Sequence, residues 1–222
     1  MKVLITGTSR GIGRAIAEEF LNNNHIVIGM DKEESTIIHK NYTHIVKDIT
    51  SLDLPTIKDV NILINNAGVQ SDDSIRVNLE GSINITEKYA FQDKIVSVVF
   101  IASASSRNGA EFPKYVASKG GLISYMKTVA FRLKDYNATS NSISPGGVIN
   151  ELNQHILDSK ELYDACLNET LLHKWATNEE IAKWVYFVSV INKSMTGEDI
   201  LIDNGEILKS NFIWWFFTSY CI

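Results

Sequence analysis

Cysteine is nearly absent: the 222 residues hold two, Cys166 and Cys221, far apart and at no metal-ligand spacing. That excludes a disulfide framework and leads us to expect a reducing compartment, the cytoplasm. The five histidines, His25, His39, His44, His155 and His173, also show no ligand spacing, so no catalytic metal is expected. Excess positive charge is missing as well. Lys and Arg number 21 against 26 Asp and Glu, a net charge of −5. A nucleic-acid binder needs a basic face to displace counterions, so that class is disfavoured. No apolar run approaches the roughly 20 residues of a membrane helix. The first apolar run meets a glycine turn at Thr6-Gly7, too early for the apolar centre of a secretory signal. Linkers, internal repeats and low-complexity tracts are lacking, which leaves one domain.

What is present alternates. Short apolar runs at Val3–Thr6, Ile26–Met30, His44–Val46, Ile62–Ile64, Val96–Ala102, Asn141–Ser144 and Ile200–Ile202 read as strands. Between them, Gly11–Asn22 carries Ile12, Ala15, Ile16 and Phe20 on one helical face, and Tyr115–Leu133 reads as a long helix. Strand-helix alternation predicts right-handed crossovers and an α/β fold with a doubly wound parallel sheet. Two connections are short: Lys32–Thr43 and Lys47–Asn61 have room for one or two helical turns at most. Thin cladding on one sheet face is therefore expected.

The turn Thr6-Gly7-Thr8-Ser9-Arg10-Gly11-Ile12-Gly13 stands between the first strand and the first helix. Glycines there let backbone N–H groups approach a pyrophosphate at a helix N-terminus, where the dipole favours anions. Asp31 ends the second strand. A carboxylate at that point accepts the adenosine ribose hydroxyls and repels a 2′-phosphate, which favours NAD over NADP. Arg10 and Lys32 pull the other way, so NADP stays open.

Further motifs come in order: Asn65-Asn66-Ala67-Gly68, Val77-Asn78-Leu79, Ile101-Ala102-Ser103, Tyr115-Val116-Ala117-Ser118-Lys119, Pro145-Gly146, and Thr196-Gly197 to Asp203-Asn204-Gly205. Together with the glycine turn they resemble the classical short-chain dehydrogenases/reductases over residues 3 to 206. Within that family the chain most resembles the 3-oxoacyl-acyl-carrier-protein reductases. The resemblance implies a Rossmann-type dinucleotide-binding domain over 1–206, with 207–222 an apolar tail. It also implies hydride transfer between a nicotinamide cofactor and a carbonyl or secondary alcohol. By the same resemblance the catalytic set is Asn78, Ser103, Tyr115 and Lys119. The cofactor would meet Gly7, Ser9, Arg10, Gly11, Ile12, Gly13, Asp31, Asp48, Ile49, Asn66, Ala67, Gly68, Tyr115, Lys119, Pro145, Gly146 and Val148. Asp48 would face the adenine amino group, and Val148 would meet the carboxamide through its backbone. Asn150, where the family often has Thr, and Asn204, in place of a Gly, are departures.

The chemistry can also be argued from the side chains. Tyr115 and Lys119 are four apart and share a helical face. A free phenol, with pKa near 10, is a poor base at neutral pH, and a neighbouring ammonium is expected to lower it. The ammonium's counterpart in the family also bonds the nicotinamide ribose. Ser103 would hold the substrate oxygen, with Ser105 and Ser106 as competitors on the same segment. Asn78 would position a water in a proton relay from Lys119. His155 and Trp175 are either substrate contacts or ordinary filler.

Two rival readings remain: a non-catalytic nucleotide-sensing module on the same scaffold, and an epimerase or dehydratase of the extended subfamily. The aromatic stretch Phe212–Phe217 is expected to pack on another subunit, on its own domain or on a membrane surface. The family assembles as homodimers or homotetramers, and a homo-oligomer is the expectation here.

Overall fold

The computed structural model describes residues 1–208, so the aromatic stretch and its three proposed partners lie outside the described residues. The elements in order are β1 (Lys2–Thr6), α1 (Gly11–Asn22), β2 (Ile26–Asp31), β3 (Tyr42–Val46) and β4 (Ile62–Asn65). A π-helical turn, Ile75–Gly81, then runs into α2 (Ser82–Tyr89). After it come β5 (Ser97–Ile101), α3 (Ser105–Asn108), α4 (Pro113–Leu133), β6 (Thr139–Pro145) and β7 (Val148–Ile149). The last elements among the described residues are α5 (Gln154–Leu157), α6 (Lys160–Asn168), β8 (Ala176–Thr177), α7 (Asn178–Tyr186) and β9 (Asp199–Ile202).

Seven strands form one parallel sheet in the order β3-β2-β1-β4-β5-β6-β9. The chain winds outward from β1 to one edge, then restarts at β4 on the other side of β1. That reversal opens a crevice beyond the carboxyl ends of the strands. Both faces are covered, so the central strands are buried throughout instead of alternating: every residue of β4 and of β5 is buried. Helices α1 and α7 clad one face, where Ile16, Phe20, Ile181 and Val185 join Val3, Ile5 and Ile64. On the other face α2 and α4 bring Ile85, Tyr89, Leu122 and Met126 against Leu4, Leu63 and Phe100. Helix α7 starts in a capping box: Thr177 Oγ1 accepts from the Glu180 N–H, and Glu180 Oε2 accepts from the Thr177 N–H. Such a cap stabilises a helix start by about 1 kcal/mol.

The two short crossovers hold no helix at all. In the second, Leu54, Ile57 and Val60 are buried in the core beside α2 although their segment has no regular structure. Side chains from the end of α2 and the loop beyond it satisfy this backbone. Tyr89 Oη donates to the Pro55 carbonyl at 2.5 Å, Lys88 Nζ to that of Leu54, and Gln92 Nε2 to that of Ile57. An apolar strap thus replaces a missing helix and covers the sheet face that was expected to be thinly clad. In the first crossover, Ile37 and Tyr42 pack on the α1 side.

Candidate active site

The glycine turn owes its shape to two residues in the left-handed region, Gly7 at φ +75° and Gly11 at φ +54°. A Cβ on Gly13 would stand 1.9 Å from the Gly7 carbonyl oxygen, so the first turn of α1 closes directly on the loop. Asn66 locks this arrangement from the end of β4: its Nδ2 donates to the carbonyls of Thr6 and Gly7, each at 3.0 Å. Thr6 Oγ1 accepts in return from the backbone N–H groups of Asn66 and Ala67. Helix α1 has no side-chain cap and no acidic residue in its first turn. Its N-terminal N–H groups and dipole therefore suit an external anion, and the residues present fit the diphosphate of a dinucleotide.

Along the crevice a cleft of about 650 Å³ runs from this turn to the start of α4. Its wall includes Gly7, Arg10, Gly11, Ile12 and Gly13 at one end and Ser103, Tyr115 and Lys119 at the other. Asp31, Asp48, Ile49, Asn66, Ala67, Gly68, Pro145, Gly146 and Val148 line it between. Of the residues expected from sequence, only Ser9 and Asn78 are not on that wall. Ser9 ties the turn to the crossover after β2: its N–H donates to Asp31 Oδ2 at 2.9 Å and its hydroxyl to the Glu33 carbonyl. Arg10, expected to favour a 2′-phosphate, lies 3.6 Å from Glu33 in an ion pair. Asp48 Oδ1 accepts from both the N–H and hydroxyl of Thr50, and the backbone bond most of all holds its carboxyl below the usual range. Val148 already gives its carbonyl to Asn153 Nδ2 at 2.8 Å.

Asn78 is fully buried in the π-helical turn, and its side chain is occupied. Oδ1 accepts from the Val69 N–H at 2.7 Å, while Nδ2 donates to the Val69 carbonyl and to Ser118 Oγ. With both amide hydrogens used, the side chain braces the loop after β4 against α4. Ser103 is distinguished from its competitors. Ser105 is buried and donates to Ser103 Oγ at 2.9 Å, and Ser106 donates to the Ser103 carbonyl at 2.6 Å. Neither lines the cleft.

Tyr115 and Lys119 share the inner face of α4, with the ammonium 5.6 Å from the phenol ring centre. The expected lowering of the phenol is reversed by the protein's own groups. Burial, followed by the Glu111 carboxylate, pushes Tyr115 up to about 12, with the Ser103 hydroxyl acting the other way. Burial also drives Lys119 down to about 8, against the pull of Glu111. Desolvation leads at both groups, since removal from water disfavours the charged form of each. Trp175 is core: it is buried, stacks edge-on against Tyr163 and presses on Gly147, where a Cβ would meet its ring. His155 is exposed on α5.

Glu111 and Gln70 were not foreseen. They meet across the cleft, Gln70 Nε2 donating to Glu111 Oε2 at 2.7 Å. No spacing in the sequence marks either one, because their pairing joins two loops 41 positions apart. Arg76, which also lines the cleft and donates to Thr50 Oγ1, was missed for the same reason.

A doubly wound parallel sheet, a glycine turn on a helix start and a Tyr/Lys pair beside a serine define a nicotinamide-dependent oxidoreductase scaffold. Residues 55–206 match the family model described as enoyl-(acyl carrier protein) reductase. The chain belongs to the short-chain dehydrogenase/reductase family, and it is an oxidoreductase acting on carbonyl or alcohol groups. It is 28% identical over 240 residues to the 3-oxoacyl-(acyl-carrier-protein) reductase FabG of Staphylococcus epidermidis, covering 91% of this chain and 97% of that one. The L-rhamnose 1-dehydrogenase (NADP(+)) of Thermoplasma acidophilum is 27% identical, with coverage of 93% and 96%. Among solved structures, 4-hydroxyisoleucine dehydrogenase complexed with NADH superposes with a TM-score of 0.85 at 28% identity, covering 94% of this chain and 99% of that one. Among the described residues no helix is long and apolar enough to cross a membrane.

Proposed function

We propose that this oxidoreductase uses NAD in preference to NADP and that Tyr115 exchanges the proton that accompanies hydride transfer. The observation that carries this reading is the shared cleft: Tyr115, Ser103 and Lys119 stand at one end and the glycine turn at the other. The cofactor supplies the hydride; the chain supplies position and the proton. Gly7, Gly11 and Gly13 with the start of α1 receive the diphosphate, and Pro145, Gly146 and Val148 flank the nicotinamide end.

In the alcohol-oxidising direction Ser103 holds the substrate oxygen and the Tyr115 phenolate accepts its proton. In the reducing direction the Tyr115 hydroxyl donates. Lys119, 2.7 Å from the Ile101 carbonyl and adjacent to Gly68, presents its ammonium below the phenol and toward the ribose side. Asn78 is a positioning residue that holds the Val69 loop and Ser118 in register.

For cofactor choice, Asp31 lines the adenosine side with Glu33 two residues on, and Arg10 is committed to Glu33. A 2′-phosphate there would face the carboxylates of Asp31 and Glu33, with Arg10 shared with Glu33 and the Lys32 ammonium, also on the cleft wall, as the counterweight. The relatives point both ways, one solved with NADH and one described with NADP(+), so the preference rests on this wall. Separate fluorescence titrations with NADH and NADPH test it: NADH should bind at least about tenfold more tightly. Equal affinities, or tighter NADPH, would overturn the NAD assignment. The sensing-module reading lacks a specific observation in its favour, since a sensor has no need of the Ser103–Tyr115–Lys119 end.

A further inference from the structure

Six acidic side chains line the cleft: Asp31, Glu33, Asp48, Asp73, Glu111 and Glu151. Four of them are already compensated. Asp31 accepts from the N–H groups of Ser9 and Glu33, and Asp48 from Thr50. Glu33 pairs with Arg10, and Asp73 with Arg76 at 2.9 Å. Glu151 stands at the other end of the cleft, its Oε2 nearest the place a Cβ would take on Gly11. Glu111 is different. It lies at the reacting end, four residues before Tyr115, and its hydrogen bond from a side chain comes from the neutral Gln70 amide. No basic side chain comes within ion-pair distance of it among the described residues.

The backbone underlines the placement. Glu111 is held at φ +99°, a conformation that costs a non-glycine residue on the order of 1 kcal/mol or more. The neighbouring carboxylate Asp72 by contrast is met by Lys114 at 3.1 Å. A second carboxylate closes on the same end: Glu206 lies against Gly146, where a Cβ would approach its Oε2 to 2.7 Å. Burial raises both carboxyls; the Gln70 hydrogen bond and the Lys119 charge pull Glu111 back, whereas at Glu206 the charges of Asp203, Glu169 and Glu111 add to the rise. Lys119 is the basic group on this part of the wall, and it is fixed to the Ile101 carbonyl. A carboxylate on the wall that holds Tyr115 and Ser103, with no ion-pair partner in contact, attracts a cation and repels an anion.

We propose that Glu111 is a specificity-determining residue that selects alcohols or carbonyls carrying an ammonium group near the reacting carbon and rejects those carrying a carboxylate. The inference rests on Tyr115 and Ser103 marking the reacting end, as proposed above.

The test uses the full chain saturated with NADH and three probes of similar size: isopropanolamine, propylene glycol and lactate. They are secondary alcohols that differ in an ammonium, hydroxyl or carboxylate substituent. Ligand-observed NMR titrations should give affinities in the order isopropanolamine, propylene glycol, lactate, with about tenfold between the first and last. Glu111→Gln, which keeps the size and the reach to Gln70, should erase that order while leaving NADH affinity within about twofold. Glu111→Gly, which relieves the positive φ, should lose the preference in the same way. Lactate binding as well as isopropanolamine, propylene glycol binding best, no isopropanolamine binding, or an unchanged order in Glu111→Gln would each overturn the proposal. Failure of NADH itself to bind would instead sink the cofactor reading beneath it.

Discussion

Lys119 buries its ammonium against the Ile101 carbonyl, 2.7 Å away, and lies 5.6 Å from the centre of the Tyr115 ring. A charge placed so deep costs stability. An unfolded lysine titrates at 10.5, and this one is pushed to about 8 by burial. Between those values the unfolded chain still holds a proton that the folded chain has released. Stability therefore rises as pH climbs through that window, and below it the cost of the buried charge is borne in full.

Replacing that charge should expose the trade. Lys119→Met is expected to lose turnover while gaining about 2 kcal/mol of stability at pH 7, the relief of desolvation less one hydrogen bond. Urea unfolding at pH 7 and pH 10 checks the sign. The gain should shrink toward zero at the higher pH, and an equal gain at both would assign the effect to packing.

Two glycines should respond oppositely to the same change. Gly13→Ala drives a Cβ to 1.9 Å from the Gly7 carbonyl oxygen and 2.3 Å from Asn66 Nδ2. It should cost several kcal/mol, about 3 or more, and weaken NADH binding by opening the turn. Gly120, inside α4, has nothing within 4 Å of its added Cβ. Gly120→Ala should raise stability by about 0.5–1 kcal/mol through helix propensity alone. Thermal melts of the two variants side by side decide the matter.

Asp31 has two tasks that one substitution can separate. Asp31→Asn keeps hydrogen bonds from the Ser9 and Glu33 N–H groups possible but removes the charge. NADPH affinity should rise about tenfold relative to NADH, with little change in melting temperature. If the ratio stays fixed, the carboxylate serves only to fasten the turn.

Legibility tracked the kind of interaction. The strands of the seven-stranded sheet were readable to within two residues, most plainly where burial on both faces forces a continuous apolar run, as in Val98-Val99-Phe100, whereas the two-residue strands β7 and β8 were not. Helix α1 was readable at both ends, since its glycine turn and its Asn22-Asn23-Asn24 stop are local signals. The strap at Leu54, Ile57 and Val60 was not readable. Its irregular backbone is satisfied by Lys88, Tyr89 and Gln92, more than 30 positions away. The site divided the same way. Tyr115 and Lys119 are visible as a spacing on one helix, whereas the Gln70–Glu111 contact exists only once two loops meet. The upward push on Tyr115 was not legible because spacing reports the nearby ammonium but neither the burial nor the Glu111 carboxylate that raises it.

The most direct measurement of the central claim is turnover and NADH binding in Tyr115→Phe, read on the member of a secondary-alcohol panel that the wild type oxidises fastest. The phenyl ring preserves the packing and removes only the hydroxyl. Turnover should fall by at least about a thousandfold, the scale of a lost acid–base group, while the NADH dissociation constant stays within about twofold. Turnover comparable to the wild type would contradict the mechanism outright, and a wild type that binds NADH tightly but oxidises no member of the panel would favour the sensing module.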